Sequence, residues 1–185
     1  MFIDKDGTLI TDIPYNVNPE LLKFEDGVIE GLRTLQDAGF LLIVVSNQAG
    51  IAYGYFSEAE LFTIRKKMEE VLQLNGITLN GFYFCPHHPS GTLREYTKTC
   101  DCRKPEPGML IQAAKEFDID ITHSWMIGDI LHDVEAGNKA GCRSILINNG
   151  NETEWVLDVN RQPEFITSGF LQAAFYISEI VAKSG

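Results

Sequence analysis

The sequence predicts an α/β fold in which a doubly wound parallel sheet is covered by helices on both faces. Short apolar runs alternate along the chain with segments of helical apolar spacing, which is the pattern of successive βα units. Residues 41–45 contain no polar side chain, as a strand buried on both faces requires. The 185 residues can bury one core without disulfide bonds. We therefore predict a single domain over residues 1–185.

The first half of the chain is predicted to hold three strands and two helices. Gly39 ends the first helix as a C-terminal cap. Ser57 and Glu60 have the spacing of a capping box at the start of the second helix. In chain order the predictions are strand 1–3, a loop excursion over 7–25 that can hold a tight hairpin, helix 27–38, strand 41–45, a helix from Ser57 and strand 81–84.

The second half continues with three predicted strands and three helices after an irregular stretch. Gly141 closes one of these helices, as Gly39 closes the first. In chain order the predictions are the irregular stretch 85–107, helix 108–117, strand 124–127, helix 131–140, strand 144–147, strand 165–167 and helix 169–183.

Polar residues concentrate where the predicted strands end. Taken singly they have ordinary structural roles, since Asp-x-Asp-Gly is a common turn and a serine after a strand is a common helix cap. Together they favour a functional site, because ligands of doubly wound sheets bind at the carboxyl ends of the strands. The four segments are Asp4-Lys5-Asp6-Gly7-Thr8, Ser46-Asn47-Gln48, Arg103-Lys104-Pro105 and Gly128-Asp129 with Asp133.

This residue set suits chemistry on a phosphate ester. Asp4 and Asp6 fall on the same side of an extended chain, and with Asp129 they offer the hard oxygen ligands that Mg²⁺ prefers. A metal ion and Lys104 offset the repulsion between an anionic nucleophile and a phosphate. The Ser46 hydroxyl can donate to a phosphoryl oxygen. Phosphoryl transfer depends mainly on such positioning and charge neutralisation.

The segments DKDGTL, VVSN, RKPEPG and IGDILHD resemble the four motifs of the haloacid dehalogenase superfamily of phosphohydrolases, over roughly residues 1–150. The resemblance implies a Rossmann-like sheet. It implies that Asp4 is the nucleophile that forms a phospho-aspartate, and that Asp6 is the general acid and then the general base. Ser46 and Lys104 would hold the phosphoryl group.

The same resemblance implies a magnesium site. Asp4, the backbone carbonyl of Asp6, and Asp129 would be its ligands. Asp133 would not bind the ion itself but would orient the residues that do. About forty positions separate Asp4 from Ser46, so the sequence leaves no room for a large cap domain between them.

A second metal site is indicated by two short pairs of soft ligands. Cys85 and His87 form one pair, and Cys100 and Cys102 the other, which is a standard set for structural zinc. A metal-free cluster of reduced thiols is the plain alternative, and His88 can replace His87. We therefore predict a zinc loop over about residues 85–107. The fourth cysteine, Cys142, has apolar neighbours and is predicted to be a core residue.

The predicted zinc loop also indicates which family within the superfamily the chain resembles. FCPHHPSG, CDCRKPEPGM and NQAGIA are similar to segments of the D-glycero-D-manno-heptose 1,7-bisphosphate phosphatases, and less so to the related histidinol-phosphatase domain. The resemblance implies removal of the 7-phosphate of a heptose bisphosphate that feeds lipopolysaccharide biosynthesis, and favours His87 as the zinc ligand. Ser46 stands where that family commonly has threonine, and Ile130 where it commonly has lysine. The implied substrate contacts are Asp12, Tyr15, Asn47, Gln48 and Arg103.

The charge and hydropathy of the chain limit the kinds of molecule that it is expected to bind. The formal net charge of -11 disfavours nucleic acid, including a nucleic-acid 3′-phosphatase. No apolar run approaches the roughly 20 residues that span a bilayer, and no signal peptide is visible, so a cytoplasmic protein without membrane contact is expected. A monomer is expected by analogy alone. A histidinol-phosphate or other small-metabolite phosphatase, a sugar-phosphate mutase and a catalytically idle zinc-stabilised module stay as alternatives.

Overall fold

A computed structural model describes residues 1–184 and shows six parallel strands in the order β3-β2-β1-β4-β5-β6. This is the order of a doubly wound sheet, with its topological switch point beside the central strand β1. The strands are β1 (Phe2–Ile3), β2 (Ile43–Asn47), β3 (Gly81–Cys85), β4 (Trp125–Gly128), β5 (Arg143–Ile147) and β6 (Phe165–Thr167). The helices are α1 (Val28–Asp37), α2 (Glu58–Leu74), α3 (Gly108–Glu116), α4 (Leu131–Ala140) and α5 (Phe170–Ser184).

The sheet is buried on both faces because alternate strand residues enter two different cores. In β1, Ile3 packs into the core under α1, α2 and α5, whereas Phe2 packs into the core under α3 and α4. In β2, Val44 and Val45 divide in the same way. The period of two along each strand therefore produces the continuous apolar runs seen in the sequence. Cys142 lies in the second core, as predicted.

The predicted elements are all present, with one shift that matters for the site. Strand β2 spans Ile43–Asn47, two residues later than predicted, so Ser46 and Asn47 end the strand instead of following it. The capping box at Ser57 and Glu60 is formed. Among residues 1–184, no helix has the length and apolar character needed to cross a membrane.

The loop excursion after β1 is not a tight hairpin. Residues 5–10 form a compact turn in which the amides of Leu9 and Ile10 both donate to the Lys5 carbonyl oxygen, each at 3.0 Å. Ile10 then pairs antiparallel with Phe24, which closes the long excursion at its base. The excursion therefore leaves and returns beside the end of β1 and holds its outer part over the carboxyl edge of the sheet.

Candidate active site

The structure brings the ends of four segments together at the switch point of the sheet. Asp4 directly follows the central strand, and its Oδ1 is 2.5 Å from Nζ of Lys104, 100 residues away along the chain. The same ammonium lies 2.6 Å from Oδ1 of Asp133. All three side chains are buried. Lys104 therefore contacts acids from two other segments that the sequence analysis placed at the same edge of the sheet.

Lys104 is fixed by the backbone as well as by the acids. Its Nζ donates to the Val45 carbonyl oxygen at 2.9 Å. Asn47 donates to the Lys104 carbonyl oxygen at 2.9 Å and accepts from the Lys104 amide at 3.0 Å, which joins this residue to the end of β2. Burial opposes the ammonium charge, but the carboxylates of Asp133 and Asp4 outweigh it and raise the pKa of Lys104. Lys104 is thus a fixed cation aimed at Asp4.

The buried acids fit a divalent cation. Asp4, Asp129 and Asp133 place carboxylate oxygens within 4.8 Å of one another. Burial raises the pKa of Asp4 well above its usual range, and the neighbouring acids Asp133, Asp129 and Asp6 add to this. Burial, with Asp133 next, raises the pKa of Asp129 to about 7. Three carboxylates around one ammonium leave uncompensated negative charge, and an all-oxygen donor set of this kind suits Mg²⁺.

Asp6 lies at the mouth of this cluster and is partly exposed. Its Oδ1 is 2.5 Å from Nζ of Lys5, and its Oδ2 accepts from Nε2 of Gln48 at 2.9 Å. The same Gln48 nitrogen donates to Oγ of Ser46 at 2.7 Å. Gln48 therefore links two predicted catalytic residues. Lys5, a buried cation beside the site, had no predicted role.

The sequence analysis also assigned no role to three residues whose side chains hold Asp129 or the Gly7 backbone in place. Thr8 donates to Oδ1 of Asp129 at 3.2 Å, and Asn151 donates to its Oδ2 at 2.7 Å. Asn149 donates to the Gly7 carbonyl oxygen at 2.7 Å. No role was predicted for the residues after 150, because this stretch carries no periodicity and no motif. The only available signal was their position after the end of β5, at the ligand-binding edge.

Gly7 is required where Asp129 approaches the backbone. Its φ is +78°, and an added Cβ would lie 2.1 Å from Oδ2 of Asp129 and 2.4 Å from Nδ2 of Asn151. We expect Gly7→Ala to displace Asp129 and to lower kcat/KM by roughly 100-fold, the scale for an ångström of misplacement. The measurement is phosphate release together with Mg²⁺ titration.

Gly39→Ala is the matched control for this prediction. Gly39 also has a left-handed φ, +87°, but an added Cβ would meet nothing within 4 Å. It should cost about 1–2 kcal/mol of stability and leave activity unchanged. Equal activity of the two variants would show that crowding at Asp129 has no catalytic consequence.

The four predicted zinc ligands form a compact tetrad after β3. Sγ of Cys102 lies 3.1 Å from the sulfurs of both Cys85 and Cys100, and 3.4 Å from Nδ1 of His87. Sγ of Cys85 lies 3.5 Å from Sγ of Cys100 and 3.7 Å from Nδ1 of His87. A tetrahedral zinc with Zn–S bonds of about 2.3 Å has ligand separations close to 3.8 Å, so the tetrad fits this ion with small adjustments.

His88 is turned away from the tetrad. Its Nδ1 lies 2.9 Å from the Tyr53 hydroxyl and accepts from the Ser90 amide at 3.1 Å. The geometry therefore favours His87 over His88 as the fourth ligand. Cys102 is followed at once by Arg103 and Lys104, so the tetrad is joined directly to the catalytic edge.

Two adjoining cavities open at this edge. The inner one, about 210 Å³, is lined by residues of the acid cluster with Lys104, Ile130 and Asn151. The outer one, about 290 Å³, is lined by Lys5, Tyr15, Gln48 and Arg103 among others. Asp6, Asp12 and Asn47 line both. All five predicted substrate contacts therefore border one of the two cavities.

The comparisons with known proteins agree with this geometry. A family model described as "HAD-hyrolase-like" matches residues 101–173. D-glycero-beta-D-manno-heptose-1,7-bisphosphate 7-phosphatase of Yersinia pestis is 40% identical over 167 residues, which is 85% of this chain and 89% of that protein. The enzyme of the same name from Escherichia coli K12 is 41% identical over 167 residues, 85% and 87% of the two chains.

A solved structure agrees as well. The D,D-heptose 1,7-bisphosphate phosphatase of B. bronchiseptica, complexed with magnesium and phosphate, superposes with a TM-score of 0.78 at 26% identity, covering 100% of this chain and 98% of that one.

The fold and the acid cluster around Lys104 define a phosphatase of the haloacid dehalogenase type, and the chain is a phosphoric monoester hydrolase. Within that class, the chain belongs to the family of the D-glycero-beta-D-manno-heptose-1,7-bisphosphate 7-phosphatases.

Proposed function

We propose that this protein removes the 7-phosphate of D-glycero-D-manno-heptose 1,7-bisphosphate in a Mg²⁺-dependent reaction through a phospho-aspartate on Asp4. The observation that carries this proposal is the position of Asp4. It directly follows the central strand at the switch point, 2.5 Å from a buried lysine and beside two further buried acids. The beta anomer named for the relatives is the anomer we assign.

The first half of the reaction follows from the positions of Asp4 and Asp6. A carboxylate oxygen of Asp4 attacks the phosphorus, and the bond from phosphorus to the sugar oxygen breaks. Asp6, at the cavity mouth, donates its proton to the departing oxygen. Lys104 stabilises charge on the phosphoryl oxygens, since its ammonium is already held beside Asp4. The Ser46 hydroxyl donates to the same group.

The second half returns Asp4 to its starting state. Asp6, now ionised, takes a proton from water, which attacks the phosphorus and breaks the bond to Asp4. Asp4, Asp129 and the backbone carbonyl of Asp6 would hold Mg²⁺, with Asp133 behind them. When bound, the ion neutralises the cluster and lets the anionic substrate approach the anionic nucleophile. Gln48 keeps Asp6 and Ser46 on the same side of the cavity.

We also propose that Cys85, His87, Cys100 and Cys102 bind a structural zinc. Four protein ligands leave no open position for chemistry. Residues 86–103 contain no buried side chain, and no helix or strand lies between Cys85 and Gly108. The segment therefore has no core of its own, and a bound metal would supply its rigidity.

The proposed function is tested by phosphate release from both anomers of the heptose bisphosphate and from histidinol phosphate. We expect Mg²⁺-dependent release from the beta anomer, at least tenfold faster than from the other two. Faster release from histidinol phosphate would overturn the heptose assignment and favour the alternative that the protein is a histidinol-phosphate phosphatase. Release that persists in Asp4→Asn would overturn the phospho-aspartate.

Arg103 is expected to recognise the distal phosphate or the sugar hydroxyls. It lines the outer cavity, and its guanidinium donates to the His87 carbonyl oxygen at 3.3 Å, which ties it to the tetrad. Arg103→Ala should raise KM for the 1,7-bisphosphate roughly tenfold more than for the 7-monophosphate, since a guanidinium makes a bidentate phosphate contact. Arg103→Lys should recover part of the loss. Equal KM changes for both substrates would contradict this role.

The metal-free protein should lose stability as the pH rises. The pKa of Asp129 is about 7 in the folded state and about 4 when unfolded, so the folded state binds more protons between these values. The contribution of Asp129 to the free energy of unfolding therefore falls from pH 4 to pH 7. Mg²⁺ should raise Tm by roughly 5 °C more at pH 8 than at pH 5, equivalent to about 1–2 kcal/mol.

Asp129→Asn is the control for this pH dependence. It removes the titrating group, so its metal-free Tm should change less with pH and its response to Mg²⁺ should be lost. An unchanged slope in this variant would assign the pH dependence to other groups.

A further inference from the structure

Three tyrosines meet beside the outer cavity and form what we call the tyrosine cluster: Tyr15, Tyr53 and Tyr55. The rings of Tyr15 and Tyr55 lie 4.6 Å apart, edge to face, and those of Tyr53 and Tyr55 are stacked at 5.6 Å. Tyr15 and Tyr53 are 6.4 Å apart. These are favourable geometries for aromatic pairs. The cluster joins the loop excursion after β1 to the loop after β2.

The backbone of Tyr15 is in a conformation that disfavours its own side chain. Residues 13–16 form a turn in which the Asn16 amide donates to the Ile13 carbonyl oxygen at 3.0 Å, with Pro14 at the second position. Tyr15 at the third position has φ of 56°. Turns with this combination favour glycine at the third position. A tyrosine held there against backbone preference points to a use for the ring.

Tyr53 is itself fixed by the zinc loop. Nδ1 of His88 accepts from the Ser90 amide at 3.1 Å, and the Tyr53 hydroxyl lies 2.9 Å from the same nitrogen. Thr92 donates to the Tyr53 carbonyl oxygen at 3.0 Å. The position of the Tyr53 ring therefore depends on the path of residues 88–92, which follow the zinc ligand His87.

Only one member of the cluster borders the cavity. Tyr15 lines it together with Asp12, Asn47 and Arg103, whereas Tyr53 and Tyr55 are not among the lining residues. Tyr15 is 52% exposed, and its ring is the sole aromatic ring besides that of Phe56 among those lining residues. We therefore expect Tyr53 and Tyr55 to act on a molecule in this cavity through Tyr15.

We propose that Tyr53 and Tyr55 are positioning residues that hold the Tyr15 ring over the outer cavity, where it packs on the C–H face of the sugar and selects hexose- or heptose-sized phosphates over smaller esters. This inference rests on the proposed function and adds to it a specificity device anchored to the zinc loop. The anchoring contact is the hydrogen bond between Tyr53 and His88.

The test compares the heptose 1,7-bisphosphate with glycerol phosphate, a smaller ester that we expect to occupy only the inner cavity. Tyr55→Ala is the main variant, because this side chain is 63% exposed and its loss leaves the core intact. We expect KM for the bisphosphate to rise at least fivefold, with kcat less affected, and the ratio of the two kcat/KM values to fall by the same factor. Tyr55→Phe should restore both, since the ring makes the contact.

Two further variants separate positioning from general stability. Phe62→Ala removes a ring of similar exposure, 60%, from α2 outside the cluster, and should change neither KM nor the ratio. Tyr15→Gly suits the left-handed backbone, so Tm should hold or rise while KM for the bisphosphate rises as in Tyr55→Ala. A purely structural role would lower Tm in this variant and leave the substrate ratio unchanged.

The outcomes distinguish this inference from the proposed function. Wild type that hydrolyses glycerol phosphate but not the bisphosphate would overturn both. Wild type that prefers the bisphosphate, with an unchanged substrate ratio in Tyr55→Ala and Tyr15→Gly, would overturn the positioning role alone. A fallen ratio in both variants, restored by Tyr55→Phe, supports it.

Discussion

Replacing Asp4 by asparagine should abolish hydrolysis while leaving the metal-free protein at least as stable as wild type. The variant lacks the nucleophile, and removal of a nucleophile from a hydrolase costs on the order of 10⁴-fold or more. Stability should hold because burial and three neighbouring acids raise the pKa of Asp4, which means that the folded state disfavours its ionised form. Lys104 keeps its contacts with Asp133 and the Val45 carbonyl oxygen.

Three measurements check this result. Phosphate release gives the loss of activity, and thermal unfolding in chelator gives the stability. Rapid acid quench followed by mass measurement should find one phosphoryl group on the peptide with Asp4 in wild type and none in Asp4→Asn. Asp37→Asn, an exposed acid at the end of α1, should match wild type in all three. Activity above about 1% of wild type in Asp4→Asn would assign the nucleophile elsewhere.

Loss of the proposed zinc site at the tetrad should lower both stability and activity, although no tetrad side chain lines either cavity. In Cys102→Ser the zinc content should fall from about one per chain to near zero. The loop from Cys85 to Lys104 has no buried side chain between its ends, so the metal-binding free energy is lost from folding. Tm should fall by roughly 10 °C, equivalent to about 3 kcal/mol or more.

We expect catalysis to suffer because two neighbouring segments of the chain connect the tetrad to the active site. Arg103 and Lys104 follow Cys102 directly, so a loose loop misplaces the cation that faces Asp4. His88 follows His87 and holds Tyr53, so the outer cavity also loses a support. We expect kcat to fall and KM to rise, each by about tenfold or more, and added Mg²⁺ should not restore them.

Cys142→Ala is the matched control, because Cys142 is a buried thiol outside the tetrad. It should cost about 1 kcal/mol through the lost packing, with zinc content and kinetic constants unchanged. Full zinc content in Cys102→Ser would show that the metal binds elsewhere. Full activity of a zinc-free protein would show that the tetrad does not position the catalytic loop.

Much of the site was predictable because its residues lie next to regular elements. Asp4 and Asp129 each follow a strand, and the carboxyl ends of parallel strands share one edge whatever the loops do. The closeness of Cys100 and Cys102 was predictable for a different reason, since two residues on one short segment are brought together by local geometry alone.

The residues that sequence reasoning missed act across long distances in the chain. Thr8 and Asn151 both donate to Asp129, over separations of 121 and 22 residues. Their types are common in loops, and nothing in their spacing singles them out. The shift of β2 to Ile43–Asn47 has a similar origin, because the polar residues at its end are paired with β3 rather than exposed.

The sequence by itself determined the sheet, the order of its elements, the acids and lysine at its carboxyl edge, and the two short residue pairs that make up the tetrad. These follow from apolar periodicity and from short spacings, which are local properties of the chain. Only the tertiary structure decided that Lys104 bridges Asp4 and Asp133, that His88 holds Tyr53, and that the tyrosine cluster stands beside the cavity. Such contacts depend on where irregular loops run once the core has formed, and a loop's path is fixed by packing and hydrogen bonds between distant segments rather than by any repeat in its own residues.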